Sequence, residues 1–210
     1  VSQACATSVR ALATAAQILE TREGECVLAL ASDRTSNGPH IFHPNPMGVG
    51  GRGDAEDPVW DNFNHDPYAK NAMIDTAEKV ARRAGISREE QDAVALLRHS
   101  QYARALDGDR AFQKKYMFPV ELRQGKKTTT VEADEGIHPT TADGLAKLSP
   151  VMPNGTVTFG TQTHPADGHA GIILASRDRA RRLSKNSKLD IRVLAVGTAR
   201  AEKGHMAMAV

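Results

Sequence analysis

The stretch TSVRALATAAQILETREGECVLALAS, residues Thr7–Ser32, decides the fold class. Its first part carries apolar residues three and four positions apart, the spacing of an amphipathic helix; these are Val9, Leu12, Ala13, Ala16 and Leu19. Gly24 is typical of a helix end, and the continuous apolar run Cys26–Ser32 has the length of a strand. A run without alternation suits an inner strand covered on both faces. The stretch therefore predicts a helix packed on a buried sheet, as in an α/β protein.

The overall composition is that of a globular protein. The 210 residues are 40% hydrophobic and 25% charged, and the formal net charge is +2, which is too small to indicate a nucleic-acid surface. No apolar run approaches transmembrane length, and the N-terminus has no signal-peptide pattern. The only two cysteines, Cys5 and Cys26, imply no disulfide framework and favour a reducing compartment. We expect a cytoplasmic protein with no nucleic-acid or membrane partner.

The middle of the chain has a different character. Residues Asp33–Asp66 are dense in Gly, Pro, Asn and Asp and show no period, so they predict a long irregular segment. Helical spacing returns over Asn71–Gly85, where Gly85 is a natural stop. A second helix begins at Ser87, with Glu90 three residues later as a capping box. Lys126–Val131 predicts a short exposed strand, and a short helix follows within residues 141–153. We expect a separate, mostly helical lobe from about Asp33 to about Pro153.

The α/β pattern resumes after this lobe. Gly155–Ser176 holds a strand start, a polar glycine-containing loop and an apolar run. Arg177–Leu183 predicts a short helix, and Ile191–Ala199 predicts another core strand. The order helix, strand, long insertion, strand, helix, strand indicates an α/β fold with a helical insertion in its middle.

Cys5 lies just before the first predicted helix. The thiolate is the nucleophilic form of cysteine, and the positive end of a helix dipole together with free N–H groups stabilises an anion there. The alternative is a small buried apolar cysteine, which position alone favours. Cys26 falls inside a predicted buried strand, so we interpret it as structural and expect it to resist labelling.

Several segments together resemble the thiolase family. QACATSVRALATAAQIL is similar to the nucleophile segment, in which a cysteine starts a helix. Further segments resemble later family segments in the same order and over essentially the whole chain: AMIDTAEKVARRAGISREEQDAVALLRHSQYARA, VEADEGI, LAKLSPV and NGTVTFGTQTHPADGHAGIILAS. The resemblance implies a thiolase-like layered αβαβα fold, present in part, with an inserted mostly helical loop domain.

The resemblance also implies a domain organisation. Residues 1–34 would be part of the N-terminal core, 35–153 the inserted loop domain, 154–185 a return to the core, and 186–210 the start of the C-terminal domain. The family's later Gly-His-Pro and Cys-x-Gly-Gly motifs, which supply its remaining acid–base residues, do not occur in the sequence. We therefore expect a partial enzyme that does not catalyse thiolysis or condensation by itself.

The resemblance assigns site residues one by one. Cys5 takes the place of the nucleophile, and Met73 that of a methionine in the coenzyme A pocket. His138 stands where many members have an arginine near the adenine and phosphates, and Gly144 replaces a serine contact. Thr163 takes the place of a serine near the thioester arm, and His164 that of a glycine. Asp167 and Gly168 match an Asp-Gly turn, in which the carboxylate accepts backbone N–H bonds and the glycine takes the tight turn.

Metal binding has no comparable support. The loop histidines and carboxylates could suggest a metal site, but their spacing matches no compact ligand motif; they are His40, His43, Asp54, Asp57, His65 and Asp66. We expect solvated side chains there and no metal.

The function that the resemblance implies is an acyl-CoA thiolase of the acetyl-CoA C-acyltransferase type. Coenzyme A and acyl-CoA would be its substrates, no cofactor would be permanently bound, and the family is typically a homodimer or homotetramer. The changed coenzyme A contacts at His138 and Gly144 motivate an alternative. In that alternative the protein is a non-condensing member that binds acyl-CoA or bridges subunits of a complex.

Overall fold

The computed structural model describes residues 1–163, 166–186 and 188–209. The chain divides into two compact units. The first comprises Val1–Met73 with the described residues from 166 onward, and the second comprises Ile74–Thr163. The second unit thus begins later than the loop domain expected at residues 35–153, so the four predicted domain boundaries stay a prediction.

Helices and strands alternate irregularly along the chain. The α-helices are α1 (Thr7–Glu20), α2 (Trp60–Asn64), α3 (Met73–Ala84), α4 (Arg88–Ala105), α5 (Asp107–Arg110), α6 (Ala142–Ala146) and α7 (Arg177–Leu183). The 3₁₀ turns are Thr35–Asn37, Val49–Gly51, Gln113–Lys115, Phe159–Thr161 and Met206–Ala209. The strands are β1 (Cys26–Asp33), β2 (Ile41–His43), β3 (Asp54–Glu56), β4 (Val120–Gln124), β5 (Lys127–Val131) and β6 (Gly168–Ala175). They pair as three antiparallel sheets, β1 with β6, β2 with β3, and β4 with β5.

Helix α1 packs on the β1–β6 sheet in the first unit. Ala13 and Ala15 are buried on this helix, and Ala29 is buried on β1. The small side chains let the helix approach the strand closely. The helix ends at Glu20 rather than running to Gly24. Arg22 takes a left-handed conformation (φ 61°) there, because its N–H and that of the next residue bond back to carbonyls of the last turn.

Among the described residues, α1 covers one face of the sheet and the other face is exposed, whereas the apolar run predicted cover on both faces. Leu28 and Leu30 are 64% and 60% exposed, whereas Ala29 between them is 8% exposed. Side chains alternate between the two faces of a strand, so one face of β1 meets α1 and the other does not. Cys26 lies on the uncovered face and its thiol is exposed. The expectation that Cys26 is buried is therefore wrong.

Residues Ile191–Ala199, predicted as a core strand, have no regular secondary structure. Ile191 is 86% exposed and Leu194 is 89% exposed. A strand forms only where its backbone groups find a partner ladder, and no described strand pairs with this segment. The loop predicted over Asp33–Asp66, in turn, contains the short β2–β3 pair and α2.

The predicted helices of the second unit are confirmed. Helix α3 ends before Gly85, whose φ of 68° is left-handed, as its role as a stop requires. Helix α4 begins with the predicted capping box: the Ser87 N–H donates to Glu90 Oε2 over 2.8 Å, and the Glu90 N–H donates to Ser87 Oγ over 3.2 Å. No helix among the described residues combines the length and the apolar character needed to cross a bilayer.

A buried carboxylate organises the second unit. Glu78 on α3 is 8% exposed, and its Oε1 accepts hydrogen bonds from the N–H groups of Thr156 and Val157, each over 2.8 Å. Thr156 Oγ1 donates to Glu78 Oε2 over 3.1 Å and accepts from Gln91 Nε2 of α4 over 2.9 Å. A Cβ at Gly155 would lie 2.5 Å from Glu78 Oε1, so only glycine leaves room. Glu78 thereby fixes the loop that leads to Thr163.

We predict that Glu78→Gln lowers the free energy of unfolding by about 1–3 kcal/mol, because the NH2 group that replaces Oε2 cannot accept the Thr156 hydroxyl and the remaining bonds to Oε1 lose their negatively charged acceptor. Urea unfolding followed by circular dichroism measures the change. Glu121→Gln is the matched control, since Glu121 lies exposed on β4 and its replacement should alter stability by less than about 0.5 kcal/mol. Equal effects of the two substitutions would contradict the role given to Glu78.

Candidate active site

Cys5 lies in a tight turn directly before α1, and its thiol is exposed. The turn is closed by two backbone hydrogen bonds: the Ala6 N–H donates to the Gln3 carbonyl over 3.0 Å, and the Thr7 N–H donates to the Ala4 carbonyl over 3.1 Å. Ala4 has a φ of 46°, which a residue with a Cβ rarely adopts. Such left-handed residues persist only where the surrounding structure holds them.

The position of Cys5 suits a nucleophile chemically. It precedes the N-cap residue Ala6, whose side chain makes no capping bond. The N-terminus of α1 thus begins directly after Cys5 in the chain, and the positive end of a helix dipole favours negative charge nearby. The exposed thiol is open to a substrate approaching from solvent. The alternative of a buried apolar cysteine does not fit this exposure.

Met73 opens α3 and is half-buried. Ala72 precedes it and is also half-buried. Asp66 shapes the approach to the helix by accepting the N–H of Tyr68 over 2.8 Å. Cys5 and Met73 belong to the first unit, whereas His138 and Thr163 belong to the second.

His138 lines a cleft of about 650 Å³ in the second unit. Leu96, Leu106 and Ile137 supply apolar walls. Polar groups stand along the cleft: His99 Nε2 lies 3.0 Å from Thr140 Oγ1, and the Tyr102 hydroxyl donates to Asp134 Oδ2 over 3.1 Å.

Tyr102 keeps its proton in this cleft. Burial, together with the negative charge of Asp134, raises the pKa of its hydroxyl above the ordinary value, although a hydrogen bond with Gln113 acts in the opposite direction. The cleft therefore presents imidazole rings, a neutral phenol and apolar walls. This combination suits a flat heterocycle or an apolar chain.

Thr163 is exposed and follows the 3₁₀ turn Phe159–Thr161. That turn is held by Thr158, which is fully buried and whose Oγ1 accepts the Gly160 N–H over 3.2 Å. His164, also predicted at the site, lies outside the described residues. Gly144 lies in α6, where its N–H donates to Thr141 Oγ1 over 3.1 Å.

Asp167 accepts a backbone N–H, as predicted. The donor is Ser36, over 2.9 Å, and the Ser36 hydroxyl donates to the other carboxylate oxygen. These bonds, from the hydroxyl first and the N–H second, lower the pKa of the Asp167 carboxyl from its ordinary value. Gly168 does not take a tight turn, because it begins β6 and has no left-handed φ. The sequence carried no signal for Ser36, which lies 131 positions from its partner.

The loop histidines and carboxylates do not gather around a common centre. His43 Nε2 lies 2.9 Å from Glu56 Oε2 across the β2–β3 pair. Over residues 1–163, 166–186 and 188–209, no group of three or more His, Cys, Asp or Glu side chains could hold a metal ion.

Comparison with known proteins defines the class. The family model described as "Thiolase, N-terminal domain" matches residues 1–178. The chain is 32% identical over 195 residues to the probable acetyl-CoA acetyltransferase of Escherichia coli, covering 88% of this chain and 47% of that protein. It is 30% identical over 186 residues to the human mitochondrial 3-ketoacyl-CoA thiolase, covering 87% and 46%. It thus spans a little under half the length of these relatives.

Solved structures of thiolases also match the chain. The crystal structure of human mitochondrial 3-ketoacyl-CoA thiolase matches with a TM-score of 0.73 at 31% identity, over 85% of this chain and 45% of that one. The acetyl-CoA acetyltransferase of Syntrophomonas wolfei matches with a TM-score of 0.74 at 28% identity, over 87% and 46%. The chain belongs to the thiolase family and has, in part, a thiolase-like α/β fold. The predicted resemblance and fold class are confirmed.

We predict that the bonds at Asp167 contribute stability that acid removes. A carboxyl group whose pKa is lower in the folded state stabilises the fold while ionised. Its contribution is complete above the ordinary pKa and is lost as the pH falls below about 4, through the folded-state value. The unfolding free energy of the unmodified protein should exceed that of Asp167→Ala at pH 7 and approach it in acid. Urea titrations of both proteins at several pH values measure this, and a difference that grows in acid would contradict it.

Proposed function

We propose that the protein is an acyl-CoA thiolase of the acetyl-CoA C-acyltransferase type, with Cys5 as the nucleophile. The observation that carries the proposal is the exposed Cys5 thiol in a tight turn before α1, in a chain that matches the thiolase N-terminal domain from residue 1. Covalent catalysis by such a cysteine divides one difficult carbon–carbon step into two easier ones.

In the cleavage direction the proposed reaction has two half-reactions. The Cys5 thiolate attacks the 3-keto carbonyl carbon; a sulfur–carbon bond forms and the C=O π electron pair moves to the oxygen. The carbonyl then re-forms as the bond between C2 and C3 breaks, and the electron pair of that bond stays on C2, which takes a proton from a general acid to give acetyl-CoA. The family resemblance places this acid in the later motifs that do not occur in this sequence. The thiolate of coenzyme A next attacks the acyl group on Cys5, which regenerates the cysteine. Condensation reverses these steps.

The binding of coenzyme A is part of the same proposal. A solved human relative is a complex with CoA and matches with a TM-score of 0.71 at 31% identity. His138, at a cleft of about 650 Å³ with imidazole and phenol groups, is proposed to contact the adenosine end. Met73, Thr163 and His164 are proposed for the remainder of the molecule. The substrate is coenzyme A or acyl-CoA, with no permanently bound cofactor.

Assembly and location belong to the proposal too. By family resemblance we propose a homodimer or homotetramer in the cytoplasm. The human relative is a mitochondrial 3-ketoacyl-CoA thiolase.

A second candidate is a non-condensing protein that binds acyl-CoA or bridges subunits of a complex. It is favoured by His138 and Gly144, which stand where the family resemblance implies an arginine and a serine. Binding without acylation of Cys5 would distinguish this candidate from the thiolase.

We predict that the full-length protein, tested with the later segments to which the family resemblance assigns the acid–base residues, becomes acetylated on Cys5 when it is incubated with acetyl-CoA and releases free coenzyme A. Mass spectrometry of the tryptic peptide ending at Arg10 detects the thioester, and the peptide Glu23–Arg34 reports on Cys26. Cys5→Ser should abolish the adduct, whereas Cys26→Ser should leave it unchanged, since both thiols are exposed but only Cys5 precedes a helix. Acetylation on the peptide that contains Cys26, or acetylation that persists in Cys5→Ser, would contradict the proposal. Bound but unreacted acetyl-CoA would favour the second candidate.

A further inference from the structure

The turn that carries Cys5 is held by a side chain as well as by its backbone. Thr7, the first residue of α1, is half-buried. Its Oγ1 donates a hydrogen bond to the Ala4 carbonyl over 2.8 Å and accepts one from the Gln3 N–H over 2.7 Å. The Thr7 hydroxyl belongs to the helix that follows Cys5. It therefore links this helix to two backbone groups that precede Cys5, the Gln3 N–H and the Ala4 carbonyl.

This arrangement replaces the usual cap of the helix. An N-cap side chain normally accepts an N–H of the first turn, but Ala6 has no group that could do so. The Thr7 hydroxyl instead joins the helix to the residues before the turn. Valine has nearly the same shape as threonine but can form neither bond, so the hydroxyl can be tested separately from the bulk of the side chain.

The two hydrogen bonds of the Thr7 hydroxyl lie beside Ala4, whose backbone conformation is left-handed. Ala4, with its φ of 46°, immediately precedes Cys5, and its carbonyl accepts from both the N–H and the hydroxyl of Thr7. Without the hydroxyl, the two backbone hydrogen bonds of the turn remain, but the left-handed Ala4 is held less firmly. A relaxation of Ala4 would rotate the backbone that leads into Cys5.

A second contact supports the same turn from further along the helix. Arg10 Nε donates to Gln3 Oε1 over 2.8 Å, so Gln3 is held by its side chain as well as by its N–H. This contact does not involve the Ala4 carbonyl, whereas Thr7 Oγ1 bonds both to the Gln3 N–H and to the Ala4 carbonyl.

We infer that Thr7 is a positioning residue, whose hydroxyl holds the Gln3–Ala4 turn so that the Cys5 sulfur stays at the N-terminus of α1. The inference rests on the proposed function in that Cys5 is taken as the nucleophile. Thr7 does not touch the substrate; it acts through the backbone on the group that does.

The test compares Thr7→Val, Thr7→Ser and Thr14→Val with the unmodified protein. Thr14 is the matched control, because it is a half-buried threonine of the same helix whose Oγ1 donates to the Arg10 carbonyl over 2.9 Å, away from the turn. Iodoacetamide alkylation of Cys5 in the folded protein is timed by peptide mass spectrometry. Cys26 is the internal standard, because its thiol is also exposed. Acetylation by acetyl-CoA is timed in parallel.

In Thr7→Val the alkylation of Cys5 relative to Cys26 should slow several-fold, and acetylation should slow by about one order of magnitude or more, as expected when a reacting group is misplaced. Thr7→Ser should restore both rates, and Thr14→Val should leave them unchanged. A merely structural Thr7 would lower stability without changing the ratio of the two thiols, and that result would overturn the inference. So would a loss in Thr7→Ser as large as in Thr7→Val. If acetyl-CoA labels neither the unmodified full-length protein nor any of its variants, the proposed function fails, while the alkylation ratio still decides the role of Thr7.

Discussion

The antiparallel ladder between β1 and β6 is the constraint on which the first unit depends. It pairs eight residues of each strand, from Cys26 with Ala175 to Asp33 with Gly168. The two strands are far apart in sequence, and the residues of the second unit, Ile74–Thr163, come between them along the chain. The ladder also supplies the surface on which α1 packs, and the N-terminus of α1 carries Cys5. The position of the proposed nucleophile therefore depends on a contact between distant segments.

Local features of the fold could be predicted from the sequence, because the interactions that create them are local. The capping box at Ser87 and the stop at Gly85 each involve neighbouring residues only. Features set by distant partners could not. The exposure of Leu28 and Cys26 depends on what covers the second face of the sheet. The hydrogen bond between Glu78 and Thr156 joins residues 78 positions apart. Neither segment has a sequence pattern that predicts this contact.

At the candidate site, too, some features could be predicted from the sequence and others could not. The position of Cys5 before a helix alone favoured a buried apolar cysteine, and the family resemblance made it the predicted nucleophile. The left-handed Ala4 and the two bonds of the Thr7 hydroxyl could not be predicted, since an alanine gives no sign of an unusual φ and a threonine at a helix start is common. His138 follows from resemblance alone, and the structure adds the cleft beside it. The sequence thus indicated the chemical role of Cys5, but not the backbone conformation and hydrogen bonds that position it.

The register of the β1–β6 ladder is open to a direct measurement by disulfide formation. Ala175 lies opposite Cys26 in a pair that does not exchange backbone hydrogen bonds, and at such pairs the Cα atoms are close enough for a disulfide. In a Cys5→Ser background, Ala175→Cys should form a disulfide with Cys26 under mild oxidation. Leu174→Cys should not, because Leu174 pairs with Val27 and points to the opposite face. A disulfide in Leu174→Cys and none in Ala175→Cys would show that the ladder has another register, and the account of how Cys5 is positioned would fail with it.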